Sequence, residues 1–195
     1  MTEYIAKILT EKMFTYGLII QSDKETYHYH IQVLIEKSMG FSIIIMLSFF
    51  WQVILETMMF LFCFSAIRRH AGGYHAKSFW GCFMGTISIY CIYVKILFPI
   101  FRDNINLNMI LFLLAAILVI IIGAVNHPNM EWSIKEYEDS KMITRIIVVV
   151  EVSCITVFYF LDMESNYSVF MSFGLILSAF LLALGKIVGQ EVKAR

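Results

Sequence analysis

The chain has 195 residues, 59% of them hydrophobic and 15% charged, and its 15 Lys and Arg are balanced by 15 Asp and Glu. A soluble domain carries roughly 45–50% apolar and about 25% charged residues, and here the apolar residues come in runs of about twenty, the length that crosses a bilayer. A soluble domain is therefore excluded, and a net charge of zero gives no electrostatic case for nucleic acid.

The expected fold is all-α: a polytopic transmembrane bundle of five to six spans, forming one membrane domain over residues 1–195 with an amphipathic N-terminal segment at 1–30. In residues 1–20, Ile5, Ile8, Leu9, Met13, Tyr16 and Ile20 recur at roughly helical spacing with Lys7, Glu11 and Lys12 between them. That pattern predicts an amphipathic helix, lying in the interface plane or packed on the bundle. Glu3 and Glu11, and the lack of a continuous apolar core, argue against a cleaved signal peptide. Residues 21–30 form a polar connector in which His28 and His30 are solvated or interfacial.

Residues 31–67 admit two readings. One is a single tilted span over 41–67, burying Gln52 and Glu56 where they must face protein or water. The other is a tight hairpin of two short spans, 31–49 and 51–67, which puts the N-terminus on the same side as the loop after residue 67. Four clearer spans come next, at about 79–101, 107–125, 143–161 and 167–187. Lys and Arg concentrate on the cytoplasmic side of membrane proteins. Arg68, Arg69 and Lys77 thus place the loop before residue 79 inside, and Lys135, Lys141 and Arg145 do the same for the loop 126–142. Lys186, Lys193 and Arg195 place the C-terminus inside, while 102–106 and the turn at Asp162 and Glu164 fall outside.

The polar island at 68–82, RRHAGGYHAKSFWGC, is where chemistry is expected. Cys82 stands seven residues after His75, and a cysteine nucleophile acts as its thiolate. Three features favour that anion: His75 as base or cationic partner, the positive potential of Arg68 and Arg69, and a helix N-terminus. If Ser78 caps a helix beginning at Phe79, Cys82 ends its first turn at the positive end of the dipole. Gly81 removes a side chain beside the nucleophile, and the first-turn N–H groups are candidate oxyanion donors. On one continuous helix, positions 75 and 82 would lie about 10 Å apart along the axis. His75 must therefore fold back over the helix start, through the freedom of Gly72 and Gly73. Cys63, Cys91 and Cys154 lie inside apolar runs and read as small packing residues. No C-x-x-C pair is present.

The string R-R-H-A-G-G-Y-H-A-K-S, followed by the aromatic pair Phe79 and Trp80 and then Cys82, closely resembles the accessory gene regulator protein B (AgrB) family, membrane cysteine endopeptidases of Gram-positive quorum sensing. The loop beginning Asn126-His127-Pro128-Asn129 is similar too, so the likeness covers nearly the whole chain. The resemblance implies that His75 and Cys82 are the catalytic pair, with Arg68 a required basic position; Arg69, Ser78 and Gly81 support them on the reading of the island's own residues. It implies a short precursor peptide as substrate, an acyl-enzyme thioester on Cys82, and capture of the acyl group by a side chain of the peptide to give a thiolactone or lactone ring. It also implies a homodimer in the cell membrane, while the charge bias puts the site at the cytoplasmic face, and no metal or cofactor is expected. One departure is that Glu131, Glu136, Glu138 and Asp139 dilute the basic charge of the second loop. No third member of the catalytic set stands out; Asn126 and Glu56 are the candidates. The competing readings are a non-catalytic membrane module for peptide binding or transport, and a metal or haem site built from His70, His75, His127 and Cys82.

Overall fold

The structure is a computed structural model, and it describes residues 2–74, 76, 78–126, 132–161 and 165–192. Helix α1 (Thr2–Thr15) is followed by a 3-10 turn at Gln21–Asp23 and by the long α2 (Lys24–Phe50). The helix breaks at Trp51, Gln52 and Val53, and α3 (Ile54–Ala71) begins. The break is sharp: the Val53 N–H reaches back to the Ser48 carbonyl at 3.0 Å while Gln52 takes a φ of 57°, the left-handed turn that stops a helix. The single span over 41–67 is thereby overturned, and the hairpin is the observed arrangement, with α2 starting earlier than the sequence suggested.

Next come α4 (Phe79–Ile92), a π turn at Tyr93–Leu97 and α5 (Phe98–Asp103), which together form one rod. The π turn has a covalent cause. Pro99 has no N–H for the Lys95 carbonyl, and the Phe98 N–H bonds to Tyr93 instead. Then come α6 (Ile105–Ile122), α7 (Ile134–Phe160) and α8 (Ser165–Ile187). Gly123, at φ 75°, ends α6. At the start of α7 the Ser133 hydroxyl accepts from the Glu136 N–H at 3.3 Å, and the Glu136 carboxylate accepts from the Ser133 N–H at 2.9 Å. The residues Asp162 to Glu164, expected at an outer turn, lie outside the described residues, as do Lys193 and Arg195.

Five helical stretches are long and apolar enough to cross a membrane: Gln21–Phe50, Trp80–Asp103, Ile105–Ile122, Ile134–Phe160 and Asn166–Ile187. The chain is a multi-pass membrane protein. Helix α3 is absent from that set, with Glu56 in its first turn and Arg68, Arg69 and His70 in its last. It nevertheless runs parallel to α8 along most of its length. A Cβ on Gly174 of α8 would come within 3.0 Å of the Phe60 carbonyl and 3.1 Å of the Cys63 Cβ. Further along, Leu181 and Gly185 meet the chain just past the end of α3. Helix α3 thus packs alongside one of the five candidate spans.

Two clusters hold the bundle. An aromatic one fixes the α4–α5 rod to α3 and α8: the Tyr93 and Phe173 rings stack at 3.7 Å, and Phe60 and Phe170 pack around them. The Tyr93 hydroxyl donates to the Val169 carbonyl at 3.1 Å, and the Thr57 and Tyr90 hydroxyls share a 2.6 Å bond. An aliphatic cluster, including Ile67, Val119, Val148, Leu175 and Leu182, joins α3, α6, α7 and α8. Among its described side chains α4 has none fully buried before Tyr90, so its first turns hang from the aromatic anchor at its far end.

Helix α1 lies antiparallel along α2. Thr2 donates to Glu36 at 3.4 Å at one end, and Lys24 pairs with Glu11 at 2.8 Å at the other. The face that docks is Thr2, Ala6 and Thr10, while Ile5, Ile8 and Leu9 point away. The apolar arc read from the sequence exists, but small residues make the contact.

The ends of α3, α6 and α8 and the starts of α4 and α7 share one face. Arg68, Arg69, Lys141, Arg145 and Lys186 make this the basic face. Lys37 of α2 lies within electrostatic reach of Arg68, so the N-terminal half of α2, and α1 with it, emerge on that same face. Single cysteines at Glu3→Cys and Asp23→Cys, in a variant lacking native cysteines, are therefore expected to react with an impermeant maleimide from the same side of the membrane as Lys186→Cys. Labelling from the opposite side would refute the six-crossing hairpin.

Candidate active site

Ser78 is the N-cap of α4, in extended backbone, and its hydroxyl accepts from the Gly81 N–H at 3.2 Å. The Cys82 N–H makes the first helical bond, 3.1 Å to the Ser78 carbonyl. Cys82 therefore ends the first turn, and its side chain is exposed. This is the placement the sequence predicted, with the helix dipole favouring negative charge at that end. Two details differ. The Gly81 N–H is taken by Ser78, so it is not an open oxyanion donor. The space beside Gly81 belongs to the chain itself: a Cβ there would come 3.4 Å from the Ala76 Cβ. Ala76 lies against the helix start. His75 and Lys77 lie outside the described residues.

Arg68, in the last turn of α3, organises the loop. Its guanidinium donates to the Gly72 carbonyl and, at 3.0 Å, to the Tyr74 carbonyl. Gly72 and Gly73 take φ values of 65° and 110°, the conformations that glycine permits. A side chain at Gly73 would strike the Arg68 guanidinium. The Tyr74 N–H is fixed to the Leu181 carbonyl of α8 at 2.8 Å, and the Val125 N–H to the Ala71 carbonyl at 2.8 Å. Arg68 is also within electrostatic reach of Cys82. The helix register agrees. Thr57 and Arg68 share a face of α3, and α4 runs antiparallel to it, with Tyr90 bonded to Thr57 and Cys82 two turns nearer the basic face. Arg69 is exposed, without a hydrogen bond or ion pair among the described residues, and His70 is half-buried.

The two candidates for a third partner fall elsewhere. Glu56 is at the opposite end of α3, about 18 Å along the axis from Arg68. Asn126 is buried, and its side chain is used to tie chain segments together. Its Oδ1 accepts from the Trp132 N–H at 3.2 Å, and its Nδ2 donates to the Val192 carbonyl at 3.3 Å. Its own carbonyl accepts from the Val192 N–H at 2.9 Å. The residues His127 to Glu131 lie outside the described residues. Among the described residues no three His, Cys, Asp or Glu side chains converge. Lys37, which the sequence reading passed over, is brought by α2 within electrostatic reach of both Arg68 and Cys82. Its only signal in the sequence was to be the last charge before the uncharged run 38–50.

The sequence profile of Accessory gene regulator B matches residues 2–182. The chain belongs to the accessory gene regulator B family. This AgrB chain thus takes part in processing a quorum-sensing precursor peptide at a membrane, the role of its family. Neither a curated protein nor a solved structure matches it.

Proposed function

We propose that this AgrB protein is a membrane-embedded cysteine endopeptidase that cuts away the C-terminal part of its precursor peptide and promotes cyclisation of the remainder to a thiolactone or lactone autoinducer. The observation that carries the reading is Cys82: an exposed thiol one turn into a capped helix, with the Arg68 guanidinium in electrostatic reach. Within this proposal His75 is the base and proton carrier. The Cys82 sulfur attacks the scissile carbonyl, the C–N bond breaks, and His75 returns the proton to the departing amine. His75 next takes the proton of a thiol or hydroxyl of the bound peptide as that sulfur or oxygen attacks the thioester, and hands it to the departing Cys82 sulfur. The ring closes, and the Cys82 thiol is released. Tethering gives this internal nucleophile a high effective concentration over water.

Arg68 supports the reaction by holding the loop carbonyls, Ser78 by capping α4, Gly81 by leaving room for the loop at Ala76, and Arg69 by adding positive potential. The Lys and Arg bias supports the basic face as the cytoplasmic one, the chain acts as one membrane domain over 1–195, and the homodimer implied by the resemblance belongs to the same proposal. The test is to trap the intermediate. A precursor whose internal nucleophile is replaced by alanine cannot cyclise, and it is expected to accumulate on Cys82 as a hydroxylamine-sensitive adduct. Release of a linear product without such an adduct would make the protein a simple hydrolase. No cleavage at all would favour a non-catalytic peptide-binding module.

A further inference from the structure

Lys37 lies on the face of α2 that turns into the bundle. Gly40, Ile44 and Ser48 are the buried positions of that helix. Lys37 extends their stripe by one turn toward the basic face, at the spacing that keeps residues on one side of a helix. Helix α2 packs against α3 and α4. Lys37 stands about as far from the Trp51–Val53 break along α2 as Arg68 does along α3, so the hairpin brings both cations to the same depth. Register and electrostatics agree: Lys37, Arg68 and the Cys82 thiol are in reach of one another.

The two cations are not equivalent. The Arg68 guanidinium is committed to the Gly72 and Tyr74 carbonyls. Lys37 is exposed and has no hydrogen bond or ion pair among the described residues. Its neighbour Glu36 faces away, accepting from Gln32 at 3.0 Å and from Thr2 at 3.4 Å. Two like charges side by side at the edge of a membrane repel, and an anion placed between them relieves the repulsion. Among the described residues Cys82 is the acidic group in reach of both.

We propose that Lys37 is the second cation of the Cys82 site, a positioning residue whose ammonium stabilises negative charge on the Cys82 sulfur while Arg68 holds the loop. The proposal rests on the reading of Cys82 as the nucleophile, but its test needs no peptide. In a variant keeping Cys82 alone (Cys63→Ala, Cys91→Ala, Cys154→Ala), alkylation in detergent micelles is compared for iodoacetate and iodoacetamide. The two reagents lose the same leaving group and differ in charge, so the ratio of their rates reads the potential at the sulfur. Lys37→Met, of similar shape, is expected to lower the iodoacetate-to-iodoacetamide ratio about fivefold. Lys37→Arg should restore it, and Lys12→Met, at the far end of α1, should leave it unchanged. A ratio unmoved by Lys37→Met, a loss that Lys37→Arg does not repair, or an equal loss in Lys12→Met would each overturn the proposal; Lys37→Gln gives the same readout should the methionine variant not fold. A ratio that falls as expected in a protein that cuts no precursor would keep the cationic pair and remove the peptidase.

Discussion

Cys82→Ala is expected to reduce cleavage of a tagged precursor in membrane vesicles to background, a fall on the order of 10⁴-fold or more, as when a covalent nucleophile is removed. Cys63→Ala, Cys91→Ala and Cys154→Ala should each keep cleavage. The four thiols differ in their surroundings. Cys63 is 1% exposed, beside the Glu151 carboxyl, and no cation is in reach. Its substitution affects packing and leaves the chemistry intact. Cys91 is nine residues along the α4 rod, about 14 Å from Cys82. Cys154 is exposed on α7, in the span and away from the basic face. Cys82 alone combines exposure, a helix start and nearby cations. Full cleavage by the Cys82→Ala protein would end the peptidase reading.

Gly185→Ala should have the next largest effect, although the residue is on α8 and touches no reacting group. A Cβ there would stand 2.7 Å from the Tyr74 nitrogen and 2.9 Å from the Gly73 carbonyl carbon. Ordinary contacts begin near 3.4 Å, and what stands in the way is backbone, which cannot swing aside as a side chain does. The loop must lift from α8, loosening the bond from Tyr74 to Leu181 and carrying the Arg68 acceptors with it. A displacement approaching 1 Å at a positioning element can reduce turnover about 100-fold. Kinetics on the precursor should show that loss in kcat/KM, while the helical circular dichroism stays. Gly40→Ala is the control: a Cβ there meets nothing within 4 Å, and helix propensity favours alanine. Undiminished activity in Gly185→Ala would show that the seat of the loop on α8 is dispensable.

The parts legible in the sequence were those governed by local rules. Ser78 before Phe79 is an N-cap whose consequence for Cys82 comes from counting one helical turn, and the structure keeps it. The later spans were fixed by long apolar runs between charged loops. The hairpin was harder. Residues 41–67 read as one apolar stretch, and the break turns on Gln52 adopting a left-handed backbone, which its side chain does not advertise. Which face of α1 docks was not legible, for a physical reason. In a bilayer, apolar side chains gain nothing by leaving lipid, so contact falls to Thr2, Ala6 and Thr10, which allow close approach. Lys37 and Cys82 are brought together by the tertiary fold alone, so no spacing rule could link them. Asn126 looked like a candidate for chemistry because polar residues in a short loop invite that reading; the bonds it makes to Trp132 and Val192 are tertiary as well.

From Ile54 to Ile67 the uncharged side of α3 covers only about 21 Å, whereas the hydrocarbon core of a bilayer is about 30 Å thick. A hairpin crossing on so short an apolar side would impose a hydrophobic mismatch on the lipid around it. Either the membrane pinches locally, or Arg68, Lys37 and Cys82 ride below the headgroup plane. Acyl-chain length then enters the energetics of the thiol directly: long lipids draw the two cations toward hydrocarbon, and short ones raise the sulfur into water.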